Sequence, residues 1–244
     1  MKNAINQYQR KVWREYKREV RLPEYYSYLY GNPIKVHVPI DTAVNGVMII
    51  GAYPTAHFNV MGSHSDVPVE DHLYPFSNES YFDGSSVNNV KSGAEIEKYF
   101  LNNLKLTRSD CWITDLVKVF LLKEGHIKKY EALGYTGHKE TRSMFRKLAE
   151  RSKTYIDEEI ELANPKIIFG LGTEVNSIML TMSDTKVQTQ MSTSSKVDYV
   201  LNGNIYNYFP VAHPGILMRN TSGPTNWRNC LDASLEKVNK ILGK

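Results

Sequence analysis

The chain has 244 residues, 41% of them hydrophobic, and a formal net charge of +4. We expect residues 1–244 to form one large α/β domain, because this length and composition suffice for a full core. The two cysteines, Cys111 and Cys230, are too few for a four-thiolate cluster or a disulfide framework. The mildly basic charge is compatible with nucleic acid but does not require it.

The start of the chain, residues 1–21, is polar and basic, unlike a signal peptide. No apolar stretch approaches the roughly 20 residues that span a bilayer. We therefore expect a soluble, intracellular protein of the cytoplasm that makes no membrane contact. Nothing in the sequence indicates an obligate protein partner.

A basic helix is predicted at about residues 4–21. Its arginines and lysines are spread around Trp13, Tyr16 and Val20, and Pro23 follows it. This pattern favours a solvated amphipathic helix, and a basic arm that touches phosphate is the alternative.

Four apolar runs along the rest of the chain predict buried strands. They lie at residues 47–50, 111–117, 166–172 and 205–212. Helices are expected at about 93–104, at 139–162, from 173 onward and at 225–242. Because strands alternate with helices, we predict a three-layer α/β/α fold with a central, mainly parallel four-stranded sheet.

Three other segments lack a periodic pattern. Residues 119–138 are predicted to be irregular, and residues 182–204 are polar with a plausible hairpin turn at Asn202–Gly203. The loop from Ala52 to about Lys91 is long enough to be functional or disordered, and its aromatic residues argue against disorder. It also holds metal-ligand residue types whose spacing fits no template, so we favour a solvated loop over a metal site. These residues are His57, His64, Asp66, Glu70, Asp71 and His72.

Unusual residues lie at the carboxyl ends of three of the predicted strands, at Gly51–Thr55, Thr114–Asp115 and His213–Pro214. Ligands of parallel sheets bind beyond the carboxyl ends of the strands, so we expect these groups to converge on one crevice. After His213 the chain carries three large apolar side chains and then Arg219. Such a wedge beside a cation suits insertion into a base stack while a phosphate is held.

Several short motifs resemble the uracil-DNA glycosylase superfamily in order and spacing. Gly51–Thr55 stands where the family has a Gly-x-x-Pro loop, and Pro75–Phe76 resembles the segment that stacks on the extruded base. Trp112–Lys118 resembles the strand ITNVVK, whose asparagine reads uracil. Asn164–Gly172 resembles the third strand, and His213–Gly215 resembles the His-Pro-Ser motif, whose histidine stabilises the departing base.

The resemblance implies a DNA glycosylase that hydrolyses the N-glycosidic bond of a flipped uracil or other damaged base. Its partner would be DNA with an extruded base, and it would need no cofactor or metal. His213 and Asp115 would be catalytic, and Leu217 and Arg219 would contact DNA, with Leu217 in the place of the inserting leucine. The base pocket would comprise Gly51, Ala52, Tyr53, Pro54, Thr55 and Phe76.

The chain departs from the family at important positions. Ala52 and Tyr53 replace the acidic or amide residue of active members, Asp115 replaces the uracil-reading asparagine, and the iron–sulfur cysteines are absent. A catalytically silent member that binds nucleic acid or a nucleobase is therefore the main alternative. Hydrolysis of a free nucleoside or nucleotide at the same crevice is a weaker one.

Each candidate side chain also has a structural interpretation. Asp115 could act as a base for water. Because an ionised carboxylate only accepts hydrogen bonds, it could also accept one from an exocyclic amine. The structural alternative is an ion pair with Lys118 or Arg219. His213 could be a hydrogen-bonded core or surface residue. The remaining alternatives are a core aromatic at Tyr53, a helix N-cap at Thr55 and loop packing at Phe76.

Overall fold

A five-stranded sheet forms the centre of the computed structural model, which describes residues 1–24, 26–217 and 225–244. The strands in chain order are β1 (Val47–Gly51), β2 (His57–Met61), β3 (His64–Glu70), β4 (Ser80–Phe82), β5 (Val87–Asn89), β6 (Cys111–Asp115), β7 (Ile167–Leu171), β8 (Val197–Leu201) and β9 (Asn204–Val211). The central sheet has the order β6-β1-β7-β9-β8. Neighbouring strands are parallel except for β8, which pairs antiparallel with β9.

Strand β8 corrects the predicted four-stranded sheet to five strands. It lies at the sheet edge and buries only its central residue, so no continuous apolar run marks it. The turn predicted between β8 and β9 is confirmed: Asn202 and Gly203 have φ values of 49° and 81°. A type I′ turn, one of the two common two-residue hairpin turns, requires this left-handed conformation at both positions.

The helices of the described residues cover both faces of the sheet. They are α1 (Lys2–Glu19), α2 (Lys91–Ile96), α3 (Asn102–Leu104), α4 (Glu124–Ala132), α5 (Phe145–Ala163), α6 (Thr173–Met179), α7 (Asp184–Ser192), α8 (Pro214–Leu217) and α9 (Trp227–Leu242). A π-helical turn at Glu97–Leu101 joins α2 to α3, and a short 3-10 helix at Arg108–Asp110 precedes β6. Among the described helices, none is long and apolar enough to cross a bilayer.

Two helices contradict the sequence prediction. The segment 119–138 was expected to be irregular but contains α4, and the polar segment 182–204 contains α7. Helix α4 buries only Tyr130, and α7 buries only Val187 and Met191. So few buried positions leave almost no helical periodicity for a sequence pattern to show.

The alternation of side chains along the strands creates two hydrophobic cores. Met48 and Ile50 pack with α1, α5 and α6 on one face, whereas Val47 and Ile49 pack with the segment α2–α3, α7 and α9 on the other. This arrangement confirms the predicted three-layer α/β/α architecture, because a strand covered on both faces buries every residue.

Helix α1 is amphipathic, as the favoured interpretation predicts. Ile5, Tyr8, Val12 and Tyr16 are buried at spacings of three and four residues, which is the period of one helical face. Trp13, by contrast, is 67% exposed. Phosphate contact by the basic face of α1 stays a prediction.

The long loop after β1 is folded into two antiparallel hairpins, β2–β3 and β4–β5. The segments that flank the first hairpin, residues 52–56 and 71–79, lack strand or helix structure. These two segments supply much of the wall of the cavity described next.

Candidate active site

A cavity of about 50 Å³ lies beyond the carboxyl ends of the parallel strands. By the same measure of volume, a single water needs about 10–15 Å³, so the cavity has room for a few waters. It is lined by Ala52, Tyr53, Pro54, Thr55, His72, Pro75, Phe76, Ser92, Asp115 and His213. The convergence on one crevice expected from the sequence is therefore present, while the chemical roles of these residues stay predictions.

The phenyl ring of Phe76 and the carboxyl group of Asp115 both pack against the backbone of Gly51. A Cβ atom added at Gly51 would lie 2.3 Å from Asp115 Oδ1 and 2.4 Å from Phe76 Cε2. Real Cβ atoms do not approach other atoms so closely, so only glycine allows both groups to pack here. The site thus places a carboxyl beside the edge of a phenyl ring.

Helix α2 packs against the backbone of Phe76 and Ser77 and fixes its position. Phe76 has a φ of 52°, which is uncommon for a residue other than glycine. A Cβ at Gly93 would lie 2.3 Å from the carbonyl oxygen of Ser77 and 2.8 Å from that of Phe76. The loop and the first turn of α2 are therefore in direct backbone contact, which holds the phenyl ring in the cavity wall.

Asp115, at the end of β6, is 3% exposed. Burial raises the pKa of its carboxyl to about 7; the charge of Glu159 adds to the rise and that of Lys118 opposes it. Among the residues that the structure describes, no hydrogen bond or ion pair reaches this carboxyl. It is thus available to a ligand and can exist in either protonation state near neutrality.

The predicted alternative of a pair between Asp115 and Lys118 is not found. The Lys118 ammonium lies 2.7 Å from Glu159 Oε1, and both side chains are fully buried. It also donates to Thr114 Oγ1 at 2.8 Å and to the main-chain oxygen of Asp115 at 3.0 Å. Lys118 therefore holds the backbone at the end of β6 rather than the Asp115 carboxylate. Arg219, the other predicted partner, lies outside the described residues.

His213 follows β9 and has a defined tautomer. Its Nδ1 accepts a hydrogen bond of 3.1 Å from the backbone N–H of Gly215. An acceptor nitrogen carries no proton, so the neutral ring has its proton on Nε2. Burial lowers the pKa of His213, which favours that neutral form. The cavity wall therefore contains an imidazole with one N–H to donate.

Tyr53 lines the cavity without filling it. Its ring packs at 5.8 Å from the ring of Phe145, and the Arg142 guanidinium lies 4.8 Å from its centre. Arg142 in turn pairs with Glu174 at 3.0 Å. These contacts anchor the tyrosine to the α5 and α6 side, so the space between Phe76, Asp115 and His213 remains open.

His72 and Ser92 line the cavity although neither was predicted for the site from the sequence. His72 was expected in a solvated loop, but it is 3% exposed and lines the cavity. Its Nε2 lies 2.7 Å from Thr55 Oγ1, and its Nδ1 lies 3.1 Å from Ser77 Oγ. Ser77 donates to Glu79 Oε1 at 3.0 Å. The place of His72 just before Pro75–Phe76, a segment already predicted for the site, was the available signal.

Two of the three apolar side chains predicted to form the wedge, Ile216 and Leu217, lie on the helical turn α8. Leu217 is only 7% exposed and belongs to the core cluster that includes residues of α9, and its insertion into DNA stays a prediction. Its neighbour Ile216 is 44% exposed. A one-turn helix points adjacent residues in different directions, which the sequence pattern could not resolve.

The metal-ligand residue types of the loop form no metal-binding group among the described side chains, which do not include that of Glu70. No three of the described histidine, cysteine, aspartate or glutamate side chains could hold a metal ion together. His72 instead serves the hydrogen-bond chain described above.

The fold is that of an α/β protein with a cavity beyond the carboxyl ends of its parallel strands, where ligands of such sheets bind. The family model of the uracil DNA glycosylase superfamily matches residues 41–238, which is most of the chain. The chain therefore belongs to the uracil DNA glycosylase superfamily, as the motifs predicted. A search of curated proteins found no match.

Proposed function

We propose that the protein is a DNA glycosylase that hydrolyses the N-glycosidic bond of a uracil or other damaged base flipped out of DNA. One observation carries this proposal. In a chain of this superfamily, one cavity is lined by a phenyl ring, a carboxyl that has no partner among the described residues, and an imidazole whose Nε2–H can donate. These groups can respectively stack on a base, bind its edge and stabilise it as it leaves.

Phe76 and Asp115 would bind the base. Stacking on an aromatic ring typically contributes ~1–3 kcal/mol per base. A protonated Asp115 has one O–H donor and one carbonyl acceptor, the same pair that an asparagine offers to uracil at this position in the family. An ionised Asp115 only accepts, which suits a base that presents an exocyclic amine. The buried carboxyl, with its pKa raised to about 7, supports uracil binding on the acidic side of neutrality.

His213 would stabilise the departing base. When the glycosidic bond breaks, its electron pair leaves with the base and negative charge develops on a base carbonyl oxygen. The Nε2–H of a neutral imidazole can donate to that oxygen, and the lowered pKa keeps the ring neutral while it does so. The hydrogen bond from Gly215 fixes the ring before substrate arrives.

Ile216 is the better candidate for the side chain that enters the base stack. It is 44% exposed on α8, in the turn that begins directly after His213. Insertion of Leu217 instead would first withdraw it from the core, at a cost of roughly 1.5–3 kcal/mol for a fully buried leucine. Phosphate contact by Arg219 stays a prediction.

The test is a base-release assay with purified protein and duplex or single-stranded oligonucleotides that contain uracil, hypoxanthine, xanthine or an alkylated base. We expect release from at least one of these substrates. His213→Ala should slow it by about 10²-fold or more, as for the loss of an oxyanion donor. His64→Ala is the matched control, because His64 is exposed and does not line the cavity.

The silent alternative predicts a different result. Ala52 and Tyr53, at the positions where active members carry an acidic or amide residue, are the observation behind it. Binding to DNA with an abasic or extruded nucleotide, without release of any base in the panel, would favour that alternative and reject the glycosylase.

A further inference from the structure

The proposed hydrolysis needs a group that accepts a proton from the attacking water. If Asp115 binds the base and His213 donates to it, neither is free for that task. Ala52 has no acceptor, and the ring of Tyr53 is held by Phe145 and Arg142. The other polar side chains in the cavity wall are Thr55, His72 and Ser92.

Thr55 and His72 belong to a hydrogen-bond chain with one direction. A carboxylate can only accept, so the Ser77 hydroxyl donates to Glu79 Oε1 at 3.0 Å. In a neutral imidazole, Ser77 Oγ then accepts from His72 Nδ1 at 3.1 Å, and His72 Nε2 carries no proton. Nε2 therefore accepts from the Thr55 hydroxyl at 2.7 Å. The Thr55 oxygen keeps its lone pairs for an incoming O–H donor.

The chain runs from the cavity surface to a shielded carboxylate. Thr55 is exposed, whereas His72 and Ser77 are 3% and 0% exposed. At the inner end, Glu79 Oε2 is buried and has no hydrogen-bond partner among the described residues. A carboxylate shielded in this way stabilises positive charge that develops on a nearby imidazole, because the local dielectric constant is low.

We propose that Thr55 holds the attacking water and that His72, acting through Thr55, takes its proton. This inference rests on the proposed function and names the residues of its hydrolytic step. The water oxygen bonds to C1′ of the sugar while the bond from C1′ to the base nitrogen breaks, and the electron pair leaves with the base. The water proton passes to Thr55 Oγ1 as the Thr55 proton passes to His72 Nε2. The imidazolium later returns a proton to the released base.

In this arrangement Thr55 is a catalytic residue and His72 is a positioning residue. The pair would supply the role that Ala52 and Tyr53 cannot fill.

The decisive comparison is Thr55→Val against Thr55→Ser. Valine keeps the shape of threonine without its hydroxyl, whereas serine keeps the hydroxyl. We expect Thr55→Val to slow single-turnover base release by about 10²-fold or more, the usual contribution of general base catalysis. Thr55→Ser should stay close to wild type. Affinity for duplex DNA that contains 2′-fluoro-arabino-uridine, a non-hydrolysable uracil nucleotide, should be the same in all three proteins.

The variants His72→Gln and His72→Asn test the hydrogen bond between Thr55 and His72 Nε2. Glutamine places a carbonyl oxygen near the position of Nε2 and can still accept from Thr55, whereas asparagine places its amide near Nδ1 and cannot. We expect His72→Gln to retain more activity than His72→Asn. Because Thr55 is exposed, its variants should fold even where changes at the buried His72 do not.

The outcomes separate the two proposals. Full activity in Thr55→Val, or a loss of affinity as large as its loss of rate, overturns the water-holding role and leaves the glycosylase assignment standing. Failure of the wild-type protein to release any base in the panel rejects the glycosylase assignment and the hydrolytic step with it.

Discussion

Two buried carboxylates lie close to Lys118, and their surroundings differ. Glu159 on α5 accepts from the Lys118 ammonium at 2.7 Å, from the Trp112 indole at 3.1 Å and from the Tyr8 hydroxyl. Asp115 at the end of β6 accepts from no group among the described residues. A buried carboxylate with several donors stabilises the fold, whereas one without donors has a raised pKa and is open to a ligand.

Lys118 connects the two regions. It neutralises Glu159 and, with the same ammonium group, donates to the backbone oxygen of Asp115. The ion pair between Lys118 and Glu159 therefore fixes the strand end that carries the Asp115 carboxyl.

The largest effect is expected from Lys118→Met, which leaves the charge of Glu159 buried without its partner. Breaking a fully buried pair typically lowers the free energy of unfolding by about 3–5 kcal/mol. Urea denaturation measures the change. Lys128→Met is the control, because Lys128 pairs with Glu124 on the surface and its loss should change little. Equal effects of the two substitutions would contradict the structural role of Lys118.

The second prediction concerns the pH dependence of stability. With its pKa raised to about 7, Asp115 keeps its proton in the folded protein at pH values where the unfolded chain has released it. Between about pH 4 and pH 7 the folded state binds more protons, so the stability contributed by this group falls as pH rises, by about 1.4 kcal/mol per unit. Above the folded pKa the contribution is constant.

Asp115→Asn should remove this slope and leave a protein more stable than wild type on the alkaline side of neutrality. Urea unfolding across this pH range measures both proteins. Parallel curves for wild type and Asp115→Asn would show that the carboxyl is not buried in its protonated form.

The third prediction concerns the contact between Gly51, Asp115 and Phe76. Gly51→Ala would place a Cβ against both side chains and force them apart. Overpacking of this kind costs about 1–3 kcal/mol, and base release should fall with it. The control is Gly125→Ala on α4, where an added Cβ meets nothing within 4 Å. Thermal denaturation and the base-release assay should distinguish the two variants.

The smallest effect is expected on the choice of base. Uracil release by the wild-type protein should decline as pH rises through about 7, because ionised Asp115 loses its donor. Asp115→Asn should release uracil with a flatter pH profile. Rates measured across this range with uracil and with an amine-bearing damaged base provide the test. A wild-type profile identical to that of Asp115→Asn would refute base reading by Asp115.

The sequence predicted those parts of the molecule that local patterns encode. The apolar run Val47–Ile50 and the residues after it placed a strand and its loop correctly, and so did the run before His213. The turn Asn202–Gly203 was predictable because glycine and asparagine tolerate left-handed backbone. These features need only neighbouring residues.

Contacts between distant residues were not predictable in this way. Lys118 and Glu159 are 41 positions apart, and Thr55 meets His72 across the β2–β3 hairpin. No periodic pattern marks such partners. The burial of Leu217 was missed for another reason, since a single helical turn gives no repeat from which to judge its inward face.

The lone carboxyl at the end of β6 also bears on how this protein can change over generations. Codons for aspartate and asparagine differ only in their first base, so a single G-to-A transition converts Asp115 into asparagine. Deamination of the cytosine opposite that base produces this transition. A lineage can therefore exchange the proposed base-reading carboxyl, which responds to pH, for an amide that does not, through the kind of DNA damage that the proposed uracil excision would remove.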